Sequence, residues 1–226
     1  LTTYIERLER SLKELGITSP ILFLKSNGGI MSSDTAKVKP VEILEGGHAA
    51  GCIASSHIGQ LTKDPNIITY DGGGTTATQS VIEGGQFIFE PLLDLEWGII
   101  SYPPSSVVSA TPTISIRSIG QGGGAIAWVD KGGVLNVGPQ SAGAVPGPVC
   151  YGLGGTEPTI TDALVILGIL DPHHDWIRRV PWKREEAINS ITTKIAEYYH
   201  WELNEACAGI LKIAVSNVSS VFHEAV

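Results

Sequence analysis

Apolar and polar positions change period twice along the chain, and the changes divide it into three stretches. Near the start, Ile5, Leu8, Leu12 and Leu15 recur at three- and four-residue spacing, one stripe of a helix that ends before Gly16. Thr3 with Glu6 reads as its capping box. Ile21-Leu22-Phe23-Leu24 follows as a short buried strand and ends in the polar turn Lys25-Ser26-Asn27-Gly28-Gly29. A short helix is expected after Ser33 and Asp34. A longer helix of small residues is expected from Ala49 to Leu61, entered through Glu45-Gly46-Gly47-His48. Ile67 to Tyr70 and Thr78 to Ile82 are β-prone runs, predicted as the two strands of a hairpin. Residues 1–90 therefore read as an α/β portion with ligand loops at its strand ends.

The pattern then shortens. Gln86–Phe89, Ile114–Ile119, Ala125–Val129 and Val134–Val137 are brief β-prone segments, the last two joined by the hairpin turn Asp130-Lys131-Gly132-Gly133. Gly138 to Gly155 mixes glycine and proline with apolar residues, the composition of an ordered loop packed near a site. Residues 91–160 thus form a β-rich, Gly/Pro-rich portion, and 161–226 a helical one. There a helix starts at Thr161-Asp162 and runs to about Leu170, and a Pro/His/Trp/Arg-rich linker covers Asp171 to Trp182. Lys183 to Tyr199 and Asn204 to Val226 then pair as helices, with Ile188, Ile191, Ile195, Ile210, Ile213, Ala214 and Val218 facing inward.

Between the strands of the central hairpin lies Asp71-Gly72-Gly73-Gly74-Thr75-Thr76. Three glycines let the backbone approach a ligand, their N–H groups suit an anion, and Thr75 and Thr76 add donors for phosphate oxygens. Asp71 at the strand end is placed to hold a hydrated Mg²⁺ or to orient a water. This is not a Walker A loop: the strand leads to a strand instead of a helix, and the lysine is missing. Asp-Gly and Gly-Gly also make ordinary hairpin turns, so a phosphate loop and a structural hairpin tip are both open.

Other residues carry paired readings. Gly120-Gln121-Gly122-Gly123-Gly124 is either a tight turn or a ligand lining through Gly122, Gly123 and Gly124. Asn27 beside Gly28 either contacts substrate or nucleotide through its amide or is a left-handed turn residue. Asp162 is either a catalytic base or metal carboxylate, or a helix N-terminal carboxylate favoured by the macrodipole. His48 is a candidate metal ligand or proton carrier, against a hydrogen-bonded structural histidine. His173-His174-Asp175 has the residue types of a zinc site, yet adjacent histidines in a polar linker are usually solvated.

Composition narrows the partners. The 226 residues are 42% apolar and 17% charged with a net charge of −8, a globular profile without the Lys/Arg cluster that nucleic acid or an anionic membrane needs. No apolar run reaches the roughly 18 residues of a membrane span. Leu1 to Gly16 is charged and helical in period, unlike a signal peptide. Cys52, Cys150 and Cys207 lack metal-ligand spacing and read as reduced, buried thiols of a cytoplasmic protein. With Met31 its only methionine and its last residues inside a helical pattern, the chain has the look of a piece of something longer.

Taken in order, several blocks resemble the hydantoinase A / oxoprolinase family. They are Ser26-Asn27-Gly28-Gly29, Asp71 to Thr76, Gly120 to Gly124 with Ile126 to Asp130, Val137 to Gly143, Pro146 to Gly152, and Gly155 to Asp162. The resemblance implies an α/β, actin-like ATPase (ribonuclease H-like) fold, present in part, and a nucleotide site for ATP and Mg²⁺. It implies work beside a hydantoinase B-type subunit in a hetero-oligomer. It also implies ATP-dependent opening of a cyclic amide, such as a hydantoin, a lactam or 5-oxoproline. A related branch carboxylates ketones such as acetone and acetophenone, and a degenerate, non-catalytic scaffold is a third reading. By this resemblance Asp71 to Thr76 is the second of two phosphate loops, so the stretch alone is expected to show no turnover. Ala77 and Thr78 stand where the family carries a charged side chain, Gly46-Gly47-His48-Ala49 where it has Ser-Gly-Pro-Ala, and Val145 where an aspartate is usual.

Overall fold

Residues 1–94, 108–171 and 180–225 are described by a computed structural model of the chain. The linker expected over Asp171 to Trp182, with His173-His174-Asp175, lies mostly outside them. Two compact units form. The first joins Leu1–Asp71 to Gln79–Ile116, and the second joins Gly72–Thr78 to Arg117–Val226.

In the first unit, helix α1 (Thr2–Glu14) buries Ile5 and half-buries Leu8 and Leu12, while Leu15 is exposed. The expected Thr3–Glu6 capping box is absent, because the helix begins two residues earlier and Leu1 takes the cap position. Strand β1 (Leu22–Leu24) pairs antiparallel with β2 (Ile30–Ser32), a partner too short to show a period of its own. The two faces of this hairpin serve different cores. Phe23 and Met31 pack with Ile5, Ala36 and Ile43, whereas Leu24 packs with Ala49, Cys52 and Ile114. Helix α2 (Ser33–Val38) is capped by Ser32, whose hydroxyl accepts from the Thr35 N–H at 3.3 Å. A 3₁₀ turn (Pro40–Ile43) leads to α3 (Gly46–Thr62), which starts three residues before the expected Ala49.

Strands β3 (Ile67–Gly72) and β4 (Ala77–Glu83) make the central hairpin, and β5 (Gln86–Phe87) adds to β4. Strand β6 (Phe89–Glu90) pairs with β9 (Thr113–Ile114), and β7 (Leu93–Asp94) with β8 (Val108–Ser109). The Ile114 N–H donates to the Ser26 carbonyl at 2.9 Å, which ties this returning segment to the Asn27–Gly28 turn.

The second unit starts its long segment with β10 (Arg117–Ile119). Strands β11 (Ala125–Val129) and β12 (Leu135–Ser141) follow as an antiparallel hairpin. Its turn forms as expected: the Asp130 carboxylate accepts from the N–H groups of Gly132 and Val134, holding its carboxyl below the usual range. After a 3₁₀ turn (Val149–Tyr151) come α4 (Ile160–Ile166) and α5 (Arg184–Ile191). Helix α5 continues through a π turn (Thr192–Ala196) into α6 (Glu197–Tyr199), and α7 (Leu203–Ala225) closes the chain. Ala125, Ala127, Val137, Cys150, Val165, Ile191, Ile195 and Ile210 share one core of this unit. Arg184 donates to the Ile166 carbonyl at 2.9 Å, a cation on the carbonyl end of α4. Among the described residues no helix is long and apolar enough to cross a membrane.

Two glycines of α3 separate packing from propensity. A Cβ on Gly46 would stand 2.3 Å from the Leu24 carbonyl oxygen, whereas one on Gly51 meets nothing within 4 Å. Gly46→Ala is expected to destabilise the protein by about 2 kcal/mol through overpacking. Gly51→Ala is expected to stabilise it by about 0.5–1 kcal/mol through helix propensity. Denaturant midpoints of the two variants check the pair.

Candidate functional site

Asp71 to Thr76 are all solvent-exposed, so the tip of the β3–β4 hairpin is open and not plugged by side chains. The tip is shaped from behind by backbone. The N–H groups of Gly122, Gly123 and Gly124 donate to the carbonyls of Thr75, Gly73 and Gly74 at 3.1, 2.9 and 2.7 Å. Within the loop, the Gly73 N–H closes the turn on the Thr76 carbonyl at 2.9 Å. Side chains would forbid this approach: a Cβ on Gly122 would lie 2.5 Å from the Thr75 nitrogen, and one on Gly124 2.9 Å from the Gly74 oxygen.

The consequence is a division of labour between the two faces of the loop. Its carbonyls point at the Gly120–Gly124 turn. Among the described residues, the N–H groups of Gly74, Thr75 and Thr76 and both threonine hydroxyls have no protein partner. Five donors thus remain for a ligand, on a loop and turn that carry no cationic side chain. The donors suit an oxyanion.

Gly122, Gly123 and Gly124, expected to line a ligand, spend their amides on this clamp instead. Sequence spacing does not show that two glycine clusters far apart in the chain stack backbone to backbone. Thr161 completes the support, donating to the Gly123 carbonyl from its N–H at 2.9 Å and from its hydroxyl at 2.8 Å.

Asp162, read as either a catalytic residue or a helix N-terminal carboxylate, is fully buried and has the geometry of the second. Its carboxylate accepts from the N–H groups of Val149, Cys150 and Thr159 and from the Thr159 hydroxyl at 2.7–3.3 Å. With Thr159 it forms the capping box of α4. A reacting proton has no path to a carboxylate whose oxygens are filled in this way. Burial, with a smaller contribution from the same aspartate, pushes the Cys150 thiol well above its ordinary range, and burial raises Cys207 to about 11. Cys52 is buried as well, so all three thiols are free and inert in the native state.

Asn27, Gly28 and His48 belong to the first unit, and the loop Gly72–Thr76 and its clamp to the second. The Asn27 side-chain oxygen accepts from the Gly29 N–H at 3.0 Å, with Gly28 at φ +82°, which is a turn geometry. His48 Nδ1 stands 2.5 Å from the Glu45 carboxylate. Among the described residues, no group of three or more His, Cys, Asp or Glu side chains gathers around His48, Asp71 or any other point to hold a metal.

The family model described as Hydantoinase/oxoprolinase matches residues 1–225. This chain belongs to the hydantoinase/oxoprolinase family. Caprolactamase subunit alpha of Pseudomonas jessenii is 36% identical over 220 residues, 96% of this chain and 30% of that protein. The acetophenone carboxylase gamma subunit of Aromatoleum aromaticum is 37% identical over 213 residues, 92% of this chain and 27% of that protein. A crystal structure of ATP-dependent caprolactamase from P. jessenii matches with a TM-score of 0.72 at 35% identity, over 94% of this chain and 29% of that one. A nucleotide-free acetone carboxylase structure shares the fold, with a TM-score of 0.81 at 22% identity over 97% of this chain and 30% of that one. The chain spans about three tenths of the length of these two relatives. This hydantoinase/oxoprolinase stretch therefore has an α/β fold shared with caprolactamase and acetone carboxylase.

Removing the anchor and crowding the clamp separate their roles. Asp162→Ala strands three buried N–H groups, and a loss of about 3–5 kcal/mol or more in urea unfolding is expected. Gly122→Ala must move the loop. It is expected to perturb the amide resonances of Gly73 to Thr76 while leaving the far-ultraviolet circular dichroism of the folded protein unchanged.

Proposed function

We propose that Asp71 to Thr76 is a phosphate-binding loop and that the chain is part of an actin-like ATPase of the hydantoinase/oxoprolinase type. One observation carries this reading: an exposed loop whose carbonyls are tied back and whose free N–H and hydroxyl groups face outward. In this reading the full-length enzyme cleaves ATP to activate the amide of a hydantoin, a lactam or 5-oxoproline for ring opening. The similarity to caprolactamase, an ATP-dependent enzyme by name, supports it.

The chemistry asked of these residues is positioning and charge stabilisation, which dominate phosphoryl transfer. Gly74, Thr75 and Thr76 would hold phosphate oxygens through N–H and hydroxyl donors. Asp71 would hold Mg²⁺ through one carboxylate, water filling the remaining positions. When bound, Mg²⁺ neutralises charge on the phosphate oxygens, a role no side chain of the loop or clamp can take. Because the clamp fixes the loop before ligand arrives, little ordering is left to do at binding.

A hydantoinase B-type subunit and a hetero-oligomer in the cytoplasm belong to the same proposal, in line with relatives named as subunits. A second reading, a subunit of an ATP-dependent ketone carboxylase, is favoured by the 37% identity to the acetophenone carboxylase gamma subunit. Bicarbonate- and ketone-dependent ATP turnover would establish that reading over the hydrolase.

In the full-length protein with its partner, Asp71→Asn is expected to lower ATP turnover at least about 100-fold. Thr75→Val and Thr76→Val are expected to lower it about tenfold each, the worth of a hydrogen bond to a charged oxygen. Steady-state phosphate release across a panel of cyclic amides and ketones measures this. Wild-type turnover that all three variants retain would remove the loop from the site.

A further inference from the structure

Gln121 stands one residue before the first clamp glycine and is only 6% exposed. Its side-chain oxygen accepts from the Asn217 amide of α7 at 3.2 Å, and the same Asn217 nitrogen also donates to the Val137 carbonyl at 3.3 Å. Among the described residues the Gln121 amide nitrogen is buried with no partner. For stability alone this is a poor choice. An apolar side chain of equal length would fill the space without leaving a donor unsatisfied. Asn217 is half-buried and continues the stripe of Ile210 and Ala214 on α7 with a polar group at the edge of the core.

The pair forms a continuous hydrogen-bonded path. Asn217 holds Gln121, the next residue Gly122 holds the Thr75 carbonyl, and Thr75 offers its N–H and hydroxyl outward. Thr161 braces the opposite side of the clamp through Gly123. The loop is thus referenced to α4 on one side and to α7 on the other.

We infer that Gln121 and Asn217 are positioning residues that fix the phosphate loop to α7 through the glycine clamp. They touch no ligand. They set the height and tilt of the Gly73–Thr75 carbonyls, and so the direction of the donors on the opposite face. A movement of α7 is transmitted to the loop through two amides instead of through loose packing. The inference rests on the reading of the loop as a phosphate cradle, and its test keeps the two separable.

The test uses Gln121→Met, Asn217→Leu and the double variant in the full-length protein, with Asn217→Ala as a second, volume-reducing variant. Hydrogen–deuterium exchange without nucleotide reads the tie itself. The amides of Gly122, Gly123 and Gly124, which are bonded to the loop carbonyls, are expected to exchange about tenfold faster in each single variant and no faster still in the double, since the two act as one unit. The KM for Mg·ATP is expected to rise about tenfold in the same pattern, while the thermal midpoint stays level or rises. Unchanged exchange at these clamp amides in every variant, or additive effects in the double, would overturn the inference. So would a lowered thermal midpoint with exchange and KM untouched, the signature of a merely structural pair. If wild-type protein binds no Mg·ATP yet exchange responds as expected, the phosphate reading fails and the positioning role stands.

Discussion

Three consecutive backbone donors, on Gly122, Gly123 and Gly124, reach three consecutive carbonyls on Gly73, Gly74 and Thr75, and the rest of the second unit is arranged around that contact. Two turns can approach so closely only without Cβ atoms on the clamp side, which is why Gly122 and Gly124 are glycines, whereas a Cβ on Gly74 would meet open space. A peptide unit that turns its C=O toward the clamp turns its N–H away. The clamp therefore decides which face of the loop is polar and free. A hairpin tip of the same composition without the clamp would be a mobile turn. With it, the donors of Gly74, Thr75 and Thr76 hold fixed directions before any ligand arrives, and preorganised donors are what an electrostatic site requires.

Support for the clamp comes in layers. Thr161 accounts for the Gly123 carbonyl, and the next residue, Asp162, fastens the N-terminus of α4 to the turn at Val149 and Cys150. Beneath it lies the unit's main core of Ile191, Ile195, Ile210 and Val165. A buried carboxylate accepting from three backbone N–H groups and a hydroxyl would be costly to place there without those partners. With them it joins segments that have no regular structure of their own. The two amides of Gln121 and Asn217 add a second tether from α7.

Much of this was legible in the sequence, and the residues that were not share one cause. Hairpin strands around Asp71–Thr76, the Asp130–Gly133 turn and the helices expected after Ser33 and from Ala49 and Asn204 followed from period and turn chemistry, because those signals are local. The start of α1 at Thr2 and the three-residue strand Ile30–Ser32 fell below the resolution of local rules. The readings of Gly122 to Gly124 and of Asp162 turned on long-range partners. Their amides and carboxylate were visible as polar groups, but whether they faced a ligand or another segment depended on contacts no spacing encodes. Gln121 and Asn217, 96 residues apart, are the extreme case, and the one local hint was an asparagine continuing the apolar stripe of a helix. The family was legible because its glycine blocks occur in order along nearly the whole chain, the span over which the family model matches.

The central claim is that the outward donors of Gly74, Thr75 and Thr76 form an anion cradle held open by the glycine clamp. A titration of the protein with Mg²⁺ and a non-hydrolysable ATP analogue, followed at individual backbone amide resonances, tests it most directly. Saturable downfield shifts at Gly74, Thr75 and Thr76, with the already bonded amides of Gly122 to Gly124 nearly still, are predicted. Saturation of the protein with no movement at those three amides would contradict the account.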